Sequence, residues 1–108
     1  MGNSYEYTVQ EVAQLLKSPA PPRLLDVREP SEWDLVRLEG AQLVTRELVD
    51  EVVSSWERNT PIVCYCHRGV RSLNAAAYLM GQGFENVRSM RGGIDAWARE
   101  IDPLLRRY

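Results

Sequence analysis

The stretch PIVCYCHRGVR, residues 61–71, joins an apolar run to a short loop rich in cations. The run Pro61 to Tyr65 predicts a buried strand, and a helical pattern begins near Ser72. Cys66 therefore lies where a strand ends and a helix begins. At such a junction the N–H groups of a curled loop and of the helix N-terminus point toward any anion at the centre.

Cys66 is placed to carry a reactive thiolate. Helix N-termini and neighbouring cations lower the pKa of a cysteine from about 8.5 to roughly 3.5–7.5. Arg68 and Arg71 supply cations within the loop, and Gly69 allows a positive φ or a close approach to a ligand. We therefore predict a nucleophilic sulfur at neutral pH. Cys64, in contrast, is predicted to be a small, unreactive core residue.

Strands and helices alternate on both sides of this stretch. Thr8 and Glu11 form the pattern of a capping box at the start of a first helix. This alternation predicts an α/β fold, an open parallel sheet of about five strands with helices on both faces. The length of 108 residues fits a single domain over residues 1–108. The strands are expected at residues 5–7, 23–27, 41–44, 61–65 and 87–90.

Charged residues follow the strand expected at residues 23–27. Because ligands of an open parallel sheet collect outside the carboxyl ends of its strands, Asp26, Arg28 and Glu29 should lie at the same edge as Cys66. Arg71 is predicted to contact an anion or to pair with a carboxylate such as Asp26 or Glu29. His67 is favoured as a substrate or partner contact over a general base, since adjacent side chains in a tight loop usually point apart.

Composition and charge restrict the function. With 44% hydrophobic and 26% charged residues, the chain has the composition of an ordinary globular domain. The net charge of −2 gives no reason to expect a nucleic acid partner. Residues 1–54 hold 5 basic and 10 acidic side chains (−5), and residues 55–108 hold 8 and 5 (+3). The positive half carries the loop, which favours an anionic substrate.

The two cysteines are separated by one residue and would close almost no loop as a disulfide, so a reducing compartment is expected. Together with a single histidine they fall short of a four-ligand zinc site, and we expect neither a metal nor a cofactor. No apolar run approaches the roughly 20 residues of a membrane span, and the N-terminus lacks a signal-peptide core. The expectation is a cytoplasmic monomer that binds neither membranes nor nucleic acid.

Three motifs, in order, resemble those of the rhodanese-like domains: LLDVREP at 24–30 with Trp33 after it, CHRGVRS at 66–72, and RGGIDAW at 91–97. The resemblance implies a sulfurtransferase in which the loop cysteine takes a sulfane sulfur from thiosulfate or a persulfide. The cysteine becomes a persulfide and passes the sulfur to a thiol or to cyanide. The chain departs from many relatives at residues 37–41, where RLEGA stands in place of His-Ile-Pro-Gly-Ala.

Carried over residue by residue, the resemblance makes Cys66 the sulfur carrier. The implied substrate cradle is His67, Arg68, Gly69, Val70 and Arg71, supported by Asp26, Arg28 and Ser72. The implied partners are a small anionic sulfur donor or a protein persulfide, and a thiol acceptor.

Two other function classes remain open. Phosphatases that share this fold place an arginine six positions after the cysteine, whereas here that position is Ser72 and the arginine comes one step earlier. The shorter loop is better matched to a sulfur atom than to a phosphate. A protein-interaction or sulfur-relay module serving a partner enzyme is the second alternative.

Overall fold

A computed structural model describes residues 5–108, in which five strands alternate with five helices. The strands are β1 (Glu6–Tyr7), β2 (Arg23–Asp26), β3 (Gln42–Leu43), β4 (Ile62–Tyr65) and β5 (Val87–Met90). The helices are α1 (Val9–Leu16), α2 (Pro30–Leu35), α3 (Arg46–Ser55), α4 (Val70–Gly81) and α5 (Gly93–Glu100).

The five strands form one parallel sheet in the order β1-β5-β4-β2-β3. The strand β4 is central and all four of its residues are buried. A strand covered on both faces reads as a continuous apolar run, which is why residues 61–65 predicted the core strand correctly. The α/β fold expected from the sequence is confirmed.

The sheet separates two apolar clusters. On one face, residues of α1 and α5 such as Val12 and Ile94 pack with Val63 and Met90. On the other face, residues of α3 and α4, including Val52 and Ala76, pack against the sheet with Cys64. The cluster on the second face therefore contains one of the two cysteines, whereas Cys66 lies beyond the end of β4.

The boundaries of several elements differ slightly from those expected. Both β2 and β3 are shorter than predicted, ending at Asp26 and Leu43. The helix α4 begins at Val70, not near Ser72, because Gly69 serves as its N-cap with φ 101°. Arg71 therefore belongs to the first turn of a helix. The capping box at Thr8 is present, with Glu11 N donating to Thr8 Oγ1 and Thr8 N to Glu11 Oε1.

No helix within residues 5–108 is long and apolar enough to cross a membrane. The same residues contain no group of three or more histidine, cysteine or acidic side chains that could hold a metal ion.

Candidate active site

Cys66 directly follows the central strand, and its loop is attached to the start of α5. Ile94 N donates to the carbonyl oxygen of Cys66 at 2.9 Å, and Asp95 N donates to that of His67 at 3.1 Å. The first N–H groups of a helix have no partner within the helix, so α5 uses them to hold the loop. With its carbonyl oxygens directed at α5, the loop can turn its own N–H groups toward the sulfur.

Gly69 and Ser72 supply hydrogen-bond donors to the sulfur of Cys66. Gly69 N lies 3.1 Å from Sγ, and both the N–H and the hydroxyl of Ser72 lie 3.4 Å from it. Cys66 itself is only 1% exposed. Of the loop residues named from the sequence, Gly69 and Ser72 therefore supply these donors to the sulfur.

The pKa of Cys66 is lowered although the residue is buried. Burial by itself raises the pKa of a thiol, because it disfavours the charged form. Here the hydroxyl of Ser72, together with the N–H groups of Ser72, Gly69 and Arg68, outweighs burial and lowers the pKa. Donors directed at the charged form thus stabilise a thiolate within the fold.

Cys64 behaves in the opposite way. It is fully buried between α4 and the sheet, and burial raises its pKa to about 12. The nearby charge of Cys66 acts in the same direction. Cys64 is therefore a neutral core thiol, in agreement with its predicted role.

Asp26 and Arg28 form a buried ion pair at the same edge of the sheet. Arg28 Nη2 lies 2.6 Å from Asp26 Oδ2, and neither side chain is exposed. Arg28 Nη2 also donates to the carbonyl oxygen of Val36 at 2.6 Å, and Nη1 donates to the hydroxyl of Tyr108 at 2.9 Å. Burial alone would lower the pKa of Arg28, but these bonds raise it above its usual value. The pair joins the end of β2 to the carbonyl oxygen of Val36 and to Tyr108.

Arg71 pairs with Glu32, not with Asp26 or Glu29 as the sequence suggested. Its Nη1 and Nη2 donate to Glu32 Oε1 and Oε2 at 2.7 and 3.1 Å. Asp26 is unavailable because it is already occupied by Arg28. Arg71 is half-exposed, and its charge still attracts that of Cys66. The arginine thus joins α2 to α4 beside the loop.

Glu32 connects several parts of this network. Besides Arg71, it accepts a hydrogen bond from the hydroxyl of Tyr108 at 2.6 Å and one from Glu29 N at 3.0 Å. Arg71 makes the largest contribution to lowering the pKa of Glu32, which falls to about 2.

We expect this depressed pKa to make stability sensitive to acid. The unfolded chain binds a proton at Glu32 near pH 4.3, so the stabilisation is present above that pH and is lost as the pH falls toward 2. Urea unfolding of wild type and Glu32→Gln should therefore differ more at pH 7 than at pH 3. Glu57→Gln is the control, because the exposed Glu57 carboxylate has no partner among the described residues. An equal difference at both pH values would contradict the expectation.

His67 points away from the sulfur and toward Tyr108. The two rings stack with centroids 3.9 Å apart and an interplanar angle of 10°, and His67 Nε2 donates to the main-chain oxygen of Tyr108 at 2.9 Å. This geometry does not provide a general base for Cys66. Arg68 is exposed, and its guanidinium has no partner among the described residues. Val70 is likewise exposed at the start of α4.

Four residues of the site were missed in the sequence: Glu32, Ser89, Gly93 and Tyr108. Glu32 and Tyr108 reach the loop from outside the 66–72 motif, and Ser89 is a fully buried polar residue of β5. Gly93 belonged to a recognised motif, although its contact with the loop was not foreseen. A buried serine in a core strand and two successive glycines before a helix were the available signals.

The chain is an α/β domain with a parallel sheet in the order β1-β5-β4-β2-β3 and a cysteine held by N–H groups directly after the central strand. Sequence comparison identifies its family. The family described as rhodanese-like domain matches residues 8–100. The chain therefore belongs to the rhodanese-like domain family.

Relatives of this chain include proteins of similar size and larger ones. It is 33% identical to thiosulfate sulfurtransferase GlpE of Vibrio cholerae, over 85% of this chain and 87% of the relative. It is 37% identical to the probable adenylyltransferase/sulfurtransferase MoeZ of Mycobacterium tuberculosis, over 94% of this chain. The chain spans about a quarter (26%) of the length of that larger relative.

A solved structure has the same fold. The rhodanese-like domain protein from Staphylococcus aureus superposes with a TM-score of 0.76 at 25% identity. The match covers 96% of this chain and 98% of the solved one.

Proposed function

We propose that this domain is a rhodanese-type sulfurtransferase that carries sulfane sulfur as a persulfide on Cys66. The observation that carries the proposal is the set of donors from Gly69 and Ser72 directed at Cys66 Sγ. A thiolate is both the attacking form of cysteine and the form that such donors stabilise. The similarity to thiosulfate sulfurtransferase GlpE of Vibrio cholerae supports thiosulfate as the donor to test first.

The reaction has two balanced steps. In the first, the thiolate of Cys66 attacks the outer sulfur of thiosulfate, an S–S bond forms, and sulfite leaves with the electron pair of the bond that breaks. In the second, a thiolate or cyanide attacks the outer sulfur of the persulfide. That sulfur moves to the acceptor, and the thiolate of Cys66 is restored. Neither step needs an external oxidant or reductant.

The same geometry argues against phosphate chemistry. At the sixth position after Cys66 stands Ser72, whose hydroxyl points at the sulfur. The neighbouring Arg71 extends to Glu32 instead of closing over the sulfur. A phosphoryl group would therefore lack the arginine fork that suits its oxygens.

The proposal is tested by mass spectrometry of the intact protein after incubation with thiosulfate. We expect one added sulfur atom, located by peptide mapping on Cys66, and its removal by cyanide or a thiol. An unloaded protein, or sulfur found on Cys64, would contradict the proposal. Loading by a cysteine desulfurase persulfide should be measured in parallel. If that donor loads Cys66 much faster, a protein persulfide is the better physiological donor.

Arg68 is expected to attract the anionic donor without controlling the thiolate. Its exposed guanidinium, which has no partner within residues 5–108, can contact a dianion, and a hydrogen bond to a charged group contributes about 1.5–3 kcal/mol. Arg68→Ala should therefore raise the KM for thiosulfate roughly tenfold or more and leave the pH profile of Cys66 alkylation nearly unchanged. Lys17→Ala, which removes an exposed cation at the end of α1, is the matched control. An unchanged KM would remove Arg68 from the donor site.

A further inference from the structure

A chain of buried hydroxyl groups leads from the sulfur into the sheet. Cys66 Sγ lies 3.4 Å from Ser72 Oγ, which in turn lies 2.7 Å from Ser89 Oγ. Ser72 belongs to the first turn of α4 and Ser89 to β5, and both residues are 0% exposed. Ser89 makes no hydrogen bond to the sulfur, so the hydrogen bonds connect it to Cys66 through Ser72.

The number of protons on the two serine hydroxyl groups determines the direction of the hydrogen bonds between Ser89, Ser72 and the sulfur. Each hydroxyl has one proton to donate, and Ser72 Oγ is the sole hydrogen-bond partner of the Ser89 hydroxyl among the described residues. A buried O–H that donates to nothing is unfavourable. Ser89 therefore donates to Ser72, and the proton of Ser72 is left to point at Cys66 Sγ. The reverse direction would leave the proton of Ser89 without an acceptor.

We propose that Ser89 is a positioning residue, which orients the Ser72 hydroxyl so that it donates to the Cys66 sulfur and favours the thiolate. This inference rests on the proposed function for its biological meaning, since the thiolate is the attacking form. A hydroxyl that accepts one hydrogen bond is also a better donor of the next, so the two bonds strengthen each other.

Other ionisable groups also act on Cys66. Arg71 faces it from the first turn of α4, and Cys64 precedes it by two residues in β4. His67 is the neighbouring residue, but its ring is stacked on Tyr108. Replacing Ser89 alters none of these groups, so a changed titration of Cys66 would report on the hydroxyl chain.

The test is the pH dependence of Cys66 alkylation by iodoacetamide, which requires no sulfur transfer. At a pH well below the wild-type midpoint, Ser89→Ala should be alkylated about three- to tenfold more slowly, as expected for weakening one hydrogen bond to the charged form. At high pH, where every thiol is ionised, the two rates should converge. That convergence distinguishes a changed pKa from a damaged loop.

A double-mutant cycle tests whether Ser89 acts through Ser72. Ser72→Ala should slow alkylation at low pH at least as much as Ser89→Ala, and adding Ser89→Ala to it should change nothing further. Ser89→Thr, which keeps the hydroxyl, should restore the wild-type profile. Ser54→Ala is the matched control, because the Ser54 hydroxyl donates within α3 to the carbonyl oxygen of Asp50.

An unchanged profile for Ser89→Ala would overturn the inference. An equal effect of Ser89→Ala in the wild-type protein and in the Ser72→Ala protein would also overturn it, since Ser89 would then act by another route. Thiosulfate loading of the same proteins separates this inference from the proposed function. A shifted titration in a protein that never accepts sulfur would refute the function and leave the role of Ser89 intact.

Discussion

Cys66→Ser should abolish sulfur transfer, with a loss of about 10³-fold or more in the rate with thiosulfate and a thiol acceptor. A serine hydroxyl stays protonated at neutral pH and cannot form the S–S bond that holds the transferred atom. The donors from Gly69 and Ser72 remain in place, so the fold should be retained. The measurements are the rate of sulfite release and the mass of the protein after incubation with donor.

Cys64→Ala is the matched control for this variant. Cys64 is fully buried with a pKa near 12, so it cannot supply a thiolate at neutral pH. Its replacement should leave sulfur transfer nearly unchanged and reduce the free energy of unfolding by about 1–2 kcal/mol, because a small cavity remains in the core. If Cys66→Ser still transferred sulfur, or if a folded Cys64→Ala protein lost sulfur transfer, the assignment of the chemistry to Cys66 would be wrong.

Gly93→Ala should be the most damaging substitution outside the loop itself. Gly93 has φ +63°, a conformation that costs an alanine about 1–2 kcal/mol. Its added Cβ would also lie much closer to the carbonyl oxygens of Cys66 and His67 than van der Waals contact allows. Those are the carbonyls that α5 holds through Ile94 N and Asp95 N. The clash therefore acts on the loop that surrounds the sulfur.

We expect Gly93→Ala to reduce the free energy of unfolding by about 2–5 kcal/mol. In protein that remains folded, a loop displaced by roughly 1 Å should lower sulfur transfer about 100-fold. Gly40→Ala is the matched control, since Gly40 has φ +82° but no atom within 4 Å of an added Cβ. It should show the backbone cost alone and keep the activity. Similar losses of activity in both variants would show that contact with the loop is not the cause.

Much of the fold could be predicted from the sequence because its signals are local. The apolar run before Cys66 indicated the central strand, and the Thr8 capping box located the start of α1. The boundaries of β2 and β3 were less accurate, because pairing with neighbouring strands determines where a strand ends. The early start of α4 follows from Gly69, whose positive φ turns the chain directly into the helix.

The same difference between local signals and contacts of distant residues applies to the candidate site. The donors to the sulfur come from within six residues of Cys66, so a contiguous motif was enough to predict a stabilised thiolate. The predicted partner of Arg71 was wrong, because the choice among Asp26, Glu29 and Glu32 depends on how α2 packs beside α4. Once Arg28 occupies Asp26, Glu32 is the carboxylate within reach of Arg71.

The sequence by itself therefore determined the α/β architecture, the loop with its cysteine, and the local donors of Gly69 and Ser72. These depend on backbone conformation and apolar periodicity, which neighbouring residues encode. Only the tertiary structure decided which distant groups complete the site: the hydroxyl of Ser89, the close approach of Gly93, and the ring of Tyr108 on His67. These contacts join residues that are 17 to 41 positions apart in the sequence. They form only after the strands have paired and the helices have packed.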